Sequence, residues 1–166
     1  MYTIIAGTNR VGSNSFKVGK SYSKLLLSLG IPSSLYSLEG LDLNNRSESL
    51  VSFEKDVLIP SQKFIFIVPE YNGSYPGVLK SLIDFSDIKQ SWYGKKALLV
   101  GVATGRGGNI RGLEHLTGTL NYMNVFVHPN RLPISLVHEL MGDVDTLTDE
   151  KTLKTINSQI TDFINF

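Results

Sequence analysis

Short apolar runs alternate along this chain with longer stretches whose apolar residues recur at helical spacing. Tyr2–Ala6, Phe64–Val68 and Ala97–Ala103 are near-continuous apolar runs, which suit strands of a sheet covered on both faces. Ser33–Leu38, after the Gly30-Ile31-Pro32 break, and Val125–His128, stopped by Pro129, are weaker strand candidates. Between the strands, Ser15–Leu29 carries an apolar stripe and ends at Gly30, a C-terminal signal. Ser47–Ile59 sets Leu50, Val51, Phe53, Val57 and Leu58 on one side and stops before Pro60. Pro76–Phe85 has Val78, Leu79, Leu82 and Ile83 at helical spacing, with Ser74 as N-cap and proline in the first turn. Ile110–Met123 and Leu147–Phe166 complete the helices, and Thr146-x-x-Asp149 fits a capping box before the last one.

The order β-α repeated five times predicts an α/β fold. Its form is a doubly wound, five-stranded parallel sheet with right-handed crossovers and helices on both faces. No linker, repeat or low-complexity tract divides the chain, so residues 1–166 read as one domain. In such sheets, ligands bind beyond the carboxyl ends of the strands, near the point where strand order reverses.

Composition removes whole classes of function. The chain has 166 residues, 42% hydrophobic and 19% charged, with a net charge of +1. No global field points to nucleic acid, membrane or acidic partners. There is no cysteine, which excludes disulfide scaffolds, zinc ribbons, iron–sulfur clusters and thiol chemistry. Redox work, if done, requires a bound cofactor. The N-terminus shows no signal-peptide pattern, and the apolar runs fall far short of the ~20 residues of a membrane span. A cytoplasmic location is the expectation, with the sequons at Asn45 and Asn72 read as accidental.

Three loops after strands carry the candidate chemistry. Gly7-Thr-Asn-Arg-Val-Gly-Ser-Asn-Ser15 leads into a helix N-terminus, which offers free amides and a positive dipole end to an anion. Thr8, Ser13 and Ser15 add hydroxyls, and Arg10 adds a charge of fork geometry. The phosphate-gripping lysine of a Walker loop is missing, and Asn9 breaks the dinucleotide Gly-x-Gly-x-x-Gly pattern. A monophosphate held by hydroxyls and amides fits better, and a plain turn with a helix cap is the alternative. In the second loop, Glu70, Tyr71 and Asn72 follow a buried strand directly. Gly73 and Gly77 there permit close backbone approach to a flat ring. The alternative is a turn whose Asn and Ser cap the following helix. The third loop is Thr104-Gly-Arg-Gly-Gly-Asn109.

Pro69-Glu-Tyr-Asn-Gly-Ser-Tyr-Pro-Gly-Val-Leu-Lys-Ser-Leu-Ile-Asp-Phe85 strongly resembles the PEYN-x-S-x-PG-x-LK-N-x-ID-W segment of the NAD(P)H-dependent FMN reductases. The first loop is similar to that family's GS-x-R-x-x-S-x-N loop, and Ala103–Gly108 to its S-x-G-x-x-GG loop. The resemblance runs from residue 2 to about residue 130 and implies a flavodoxin-like sheet of order 2-1-3-4-5. It implies FMN as cofactor and NADPH or NADH as co-substrate. A small-molecule acceptor such as a quinone, azo compound or flavin, and a homodimer or homotetramer, are implied too. Thr8, Arg10, Ser13, Asn14 and Ser15 match the phosphate positions. Pro69, Glu70, Tyr71, Asn72 and Gly73 match the ring cradle, and Thr104, Gly105 and Gly107 the loop near the pyrimidine end. The ring would carry the hydride, so no catalytic side chain is expected. Departures are Thr8 for Ser, Ser15 for Asn, Phe85 for Trp and a third loop one residue shorter than the family spacing.

Other candidates are weaker. His115, His128 and His138 lack metal-ligand spacing, and Asp143-Val-Asp145 with Asp149-Glu150 suits a polar turn better than a calcium loop. No Gly-x-Ser-x-Gly frames a hydrolase serine, and Lys95-Lys96 reads as a solvated strand start. Trp92 and Tyr93 fit either a core edge or a subunit contact. A flavodoxin-type electron carrier and a cofactor-free binding or sensor module on the same fold are the competing functions. The near-neutral charge disfavours the carrier.

Overall fold

A computed structural model describes residues 1–142 and 145–166. The strands are β1 (Tyr2–Ala6), β2 (Ser33–Ser37), β3 (Lys63–Pro69), β4 (Lys96–Val102), β5 (Phe126–Val127) and β6 (Leu132–Ile134). The helices are α1 (Asn14–Ser28), α2 (Glu48–Phe53), α3 (Gly77–Phe85), α4 (Ile88–Ser91), α5 (Ile110–Tyr122) and α6 (Glu150–Asn165). All strand pairs are parallel, in the order β2-β1-β3-β4-β5, with β6 also on β4. This is the doubly wound order of flavodoxin-like sheets, whose switch point lies between β1 and β3.

The continuous apolar strands are explained by where their side chains go. Ile5, Phe64, Phe66 and Leu99 point to a core shared with α2, α3 and α5. Ile4, Ile65, Ile67 and Leu98 point to the opposite core, under α1 and α6. Successive strand residues face opposite sides, so both must be apolar when both sides are covered. Trp92 belongs to the first core: it is fully buried against Phe64 and Phe66 and donates from Nε1 to the Ser86 hydroxyl at 2.7 Å. Tyr93 is exposed.

Several elements differ from the expected ones. The fifth strand pairs only at Phe126–Val127; the chain leaves the ladder around Pro129 and returns as β6, whose Leu132 and Ile134 pair with Val100 and Val102. Proline has no amide to give a ladder, so the strand breaks there. The helix expected over 47–59 becomes π-helical across Glu54–Leu58, where the Ile59 amide bonds the Glu54 carbonyl. That turn directs Glu54 inward, onto Arg46 at 2.7 Å, the Asp87 amide and the Ser91 hydroxyl at 3.4 Å. Helix α4 was not expected; Asp87 caps it by accepting from the Lys89 and Gln90 amides. Helix α1 starts one residue early, capped by Ser13, and α6 starts at Glu150 with Asp149, not Thr146, as its cap. Pro76 is the N-cap of α3, and the Ser74 hydroxyl goes to His115 instead. Asp143 and Val144 of the acidic turn lie outside the described residues, while Asp145 pairs with Lys17 at 2.6 Å.

The lysine pair is not a solvated strand start. Lys95 is buried, and its Nζ donates to the Leu58 and Ile59 carbonyls at 2.5 and 3.0 Å, closing the π-helical turn. Lys96 reaches the Phe166 carbonyl, and Lys63 those of Phe163 and Ile164 at 2.9 Å each. Cations at a helix C-terminus satisfy its orphan carbonyls and its dipole. Burial lowers the Lys95 pKa to about 8. The unfolded chain then binds more protons than the folded protein between about 8 and 10.5, so this lysine lets stability rise with pH across that window. The expected gain is about 1–2 kcal/mol by pH 10 relative to neutral pH. Urea denaturation of the wild type and of Lys95→Met at both pH values checks it, and parallel pH profiles would refute it.

Candidate functional site

The loops after β1, β3 and β4 meet at the carboxyl edge of the sheet, beside the switch point, as the sequence predicts. Gly12, left-handed at φ 63, turns the first loop into α1. Ser13 there caps the helix by accepting from the Phe16 amide at 3.2 Å. No acidic residue lies in the first turn of α1, so no side chain of that turn compensates its positive dipole end. Ser15, one residue into the helix, is 1% exposed, and among the described residues its hydroxyl has no hydrogen-bond partner. A buried hydroxyl without a partner is costly, and at a cleft wall it is ready for an acceptor.

Tyr71 ties the first two loops together. Its hydroxyl hydrogen-bonds the Thr8 hydroxyl at 2.6 Å, and the Arg10 guanidinium lies 4.2 Å from its ring centroid. Thr8 also accepts from the Arg10 amide at 3.2 Å. The second loop is a tight hairpin and not a cap for α3. Tyr71 and Ser74 exchange backbone hydrogen bonds of 2.9 and 3.1 Å, with Asn72 (φ 51) and Gly73 (φ 77) between them. Two left-handed central residues make a type I′ turn, for which Asn-Gly is the favoured pair. The start of the loop is fastened to β4 by the Glu70 amide, which donates to Val102 at 3.0 Å.

The third loop is exposed from Thr104 to Gly107 and then buried at Gly108 and Asn109. Both buried residues are left-handed, at φ 54 and 63. Counting from Ala103, Gly105, Gly108 and Asn109 fall on the three glycine positions of the S-x-G-x-x-GG pattern. The loop therefore keeps that length, and the departure is Asn109 in the second left-handed glycine position. Asn is the non-glycine residue that tolerates this backbone best.

These loops enclose a cleft of about 330 Å³. Thr8, Arg10, Ser13, Asn14 and Ser15 line its helix end. Pro69, Glu70, Tyr71 and Thr104 line the remainder. An adjoining hollow of about 280 Å³ is lined by Glu70, Asn72, Gly73, Thr104 and Gly105, so the two share a wall. Gly107 lines neither; it sits beside the Glu70 carboxylate. Val11, Gly12 and Ala103, part of the loops read from the sequence but not singled out there, also line the cleft, as do Val102 and Val137, to which nothing in the sequence pointed. Val137 arrives on a single 3-10 turn over residues Val137–Leu140, fixed by its amide to the Ala103 carbonyl at 3.1 Å. No local pattern announces a wall contributed from that far along the chain.

No histidine lines the cleft, and among the described residues no group of His, Asp and Glu could hold a metal ion. His115 bonds Ser74 at 2.9 Å, His128 is buried against Phe163 and Phe166, and His138 is exposed. The cleft and its adjoining hollow thus bring together a helix N-terminus with hydroxyls and a guanidinium, a tyrosine ring and a main-chain turn. These features fit a phosphorylated flat ring, and the partnerless Ser15 hydroxyl is the most direct mark of it.

Comparison with known proteins agrees. The family model described as NADPH-dependent FMN reductase matches residues 2–139. An NAD(P)H-dependent FMN reductase of Pseudomonas aeruginosa is 29% identical over 94% of this chain and 89% of its own length. A 2-hydroxy-1,4-benzoquinone reductase of a Burkholderia species is 30% identical, over 43% of this chain and 40% of its own. The solved structure of the flavoenzyme NAD(P)H:(acceptor) oxidoreductase of Paracoccus denitrificans superposes with a TM-score of 0.83 at 26% identity. It covers 99% of this chain and 94% of its own. With the family model spanning all three loops of the cleft, this chain belongs to the NADPH-dependent FMN reductase family.

Proposed function

We propose that residues 1–166 form one FMN-binding unit that moves electrons from NADPH or NADH to a small-molecule acceptor such as a quinone, an azo compound or a flavin. The observation that carries the reading is the buried Ser15 hydroxyl in the first turn of α1, without a partner among the described residues, on a residue that lines a cleft of cofactor size. Thr8, Arg10, Ser13, Asn14 and Ser15 would hold the phosphate through hydroxyls, amides and the guanidinium. Pro69, Glu70, Tyr71, Asn72 and Gly73 would cradle one side of the ring, with Thr104, Gly105 and Gly107 at its pyrimidine end. Bound FMN would supply the redox chemistry, hydride acceptance from a nicotinamide and electron delivery to the acceptor. The protein's part is to orient the ring and leave one face open. The co-substrate and the acceptor use that open face in turn. The reading also places the protein in the cytoplasm as a homodimer or homotetramer. Exposed Ile88 and Tyr122, flanking a groove between α3–α4 and α5, support association. No helix among the described residues is long and apolar enough to cross a membrane.

Titration of the apoprotein with FMN and with riboflavin, followed by flavin fluorescence, tests the reading. Ser15→Ala is expected to weaken FMN about tenfold, the loss of one charge-assisted hydrogen bond, and to leave riboflavin within about threefold. The same variant should not lower apoprotein stability, because a partnerless buried hydroxyl is removed. Failure of the wild type to bind FMN would sink the proposal, as would an equal loss for both ligands. Anaerobic NADPH should bleach the bound flavin and a quinone should restore it; without bleaching, the protein is an electron carrier.

A further inference from the structure

We propose that Asn109 is a positioning residue that fixes the spacing between the two loops holding the flavin ring. The inference rests on the FMN reading and deepens it. Asn109 is the N-cap residue of α5, yet its side chain makes no capping bond. An N-cap asparagine ordinarily adopts extended backbone and accepts from an amide of the first turn. Here the backbone is left-handed, at φ 63, and the side chain is turned back toward β3. Its Nδ2 donates to the Val68 and Pro69 carbonyls, both at 3.0 Å. Those carbonyls end the strand that carries the Glu70–Ser74 hairpin, while the backbone of Asn109 ends the third loop. One amide group therefore spans the two walls of the cleft.

The neighbourhood is shaped around this bridge. Asn109 is 1% exposed, and its Oδ1 is buried with no hydrogen-bond partner, so the bridge is held despite an unsatisfied acceptor. Gly112, in the first turn of α5, is a poor helix residue. A Cβ there would overlap the Asn109 amide. A Cβ on Gly101 would overlap the Gly108 carbonyl oxygen and crowd the Asn109 Cβ. Gly112, a left-handed backbone and an orphaned oxygen are thus accommodated for a single side chain, while Gly101 makes room chiefly for the Gly108 carbonyl. A helix cap alone requires none of them. A glycine at 109 would satisfy the backbone equally well, but it would leave the two loops untied.

The test uses the full chain with Asn109→Gly, which suits the left-handed backbone, and Asn109→Asp, which keeps the shape but puts oxygen against two carbonyls. Both variants are expected to lose FMN and riboflavin affinity by the same factor, about tenfold, because the ring walls and not the phosphate end are loosened. Native-state hydrogen exchange of the apoprotein supplies a readout independent of flavin. In Asn109→Gly, amides of both 70–74 and 104–108 should exchange faster together. Faster exchange confined to 104–111, or riboflavin affinity equal to wild type, would show that Asn109 merely terminates α5 and would overturn the proposal. A wild type that binds neither flavin overturns the FMN reading and the proposal with it. A wild type that binds, beside variants that bind equally well, overturns the proposal alone.

Discussion

Alanine at Gly101 is expected to lower stability by about 3 kcal/mol and to abolish tight flavin binding. Gly101 lies in β4, paired with Val68, and the Gly108 carbonyl oxygen sits directly over its Cα. An added methyl group would meet backbone, which cannot rotate away as a side chain does. Overpacking of a filled core costs about 1–3 kcal/mol. A clash with main chain that is itself pinned through Asn109 falls at the top of that range. For a chain of this length, the loss corresponds to roughly 6–12 °C in Tm. The damage would be local as well as global, because the third loop must lift off β4 to admit the methyl. Thermal unfolding and FMN titration of Gly101→Ala measure both effects. An unchanged Tm with unchanged affinity would show that the third loop can yield to a methyl group on β4.

Glu54→Ala is expected to destabilise the protein by about 3 kcal/mol while leaving FMN affinity within about twofold. The carboxylate is buried, and it binds the Arg46 guanidinium through both oxygens, at 2.7 and 3.1 Å. It also accepts from the Asp87 amide and the Ser91 hydroxyl, and Arg46 in turn donates to the Phe85 carbonyl at 2.8 Å. One side chain thus joins the π-helical turn to the ends of α3 and α4. Removing one partner of a buried pair costs about 3–5 kcal/mol, because the other groups lose their acceptor. Arg46 is half exposed and can turn to water, which places the effect at the low end. The cleft is at the opposite end of α3, so binding should be spared. Urea denaturation and flavin titration separate the two expectations, and a stability loss below about 1 kcal/mol would contradict the first.

The order of strands and helices was legible because it is written in local pattern. Phe64–Val68 reads as a strand buried on both faces, and its residues do go alternately to the two cores. The three loops were legible because small, polar residues directly after buried strands have no packing reason to be there. What escaped the sequence depends on distant partners. Leu132-Pro133-Ile134 is too short and too proline-marked to announce a strand; it pairs because the upper half of β4 offers an open edge. Lys95 follows a glycine at the head of a strand and looks solvated, until the π-helical turn sets two carbonyls over it. Glu54 sits in an amphipathic pattern that gives no sign of a widened turn. Val137 becomes a cleft wall only through its bond to Ala103. The glycine spacing of the third loop looked shortened because Asn109 does by tolerance what glycine does by default.

The type I′ turn at Asn72-Gly73 bears on how much mutation the site can absorb. Tyr71 and Ser74 satisfy each other's amides and carbonyls, so the turn's shape is set by its own main chain. If the ring is read by the main chain of this turn, most side chains around it can vary without changing what the ring meets. The mutational target then narrows to residues that dictate backbone conformation: the left-handed pair itself and the strand ends that anchor it. Variation in acceptor preference among relatives would accumulate on the exposed rim, while the cofactor contacts stay constant beneath it.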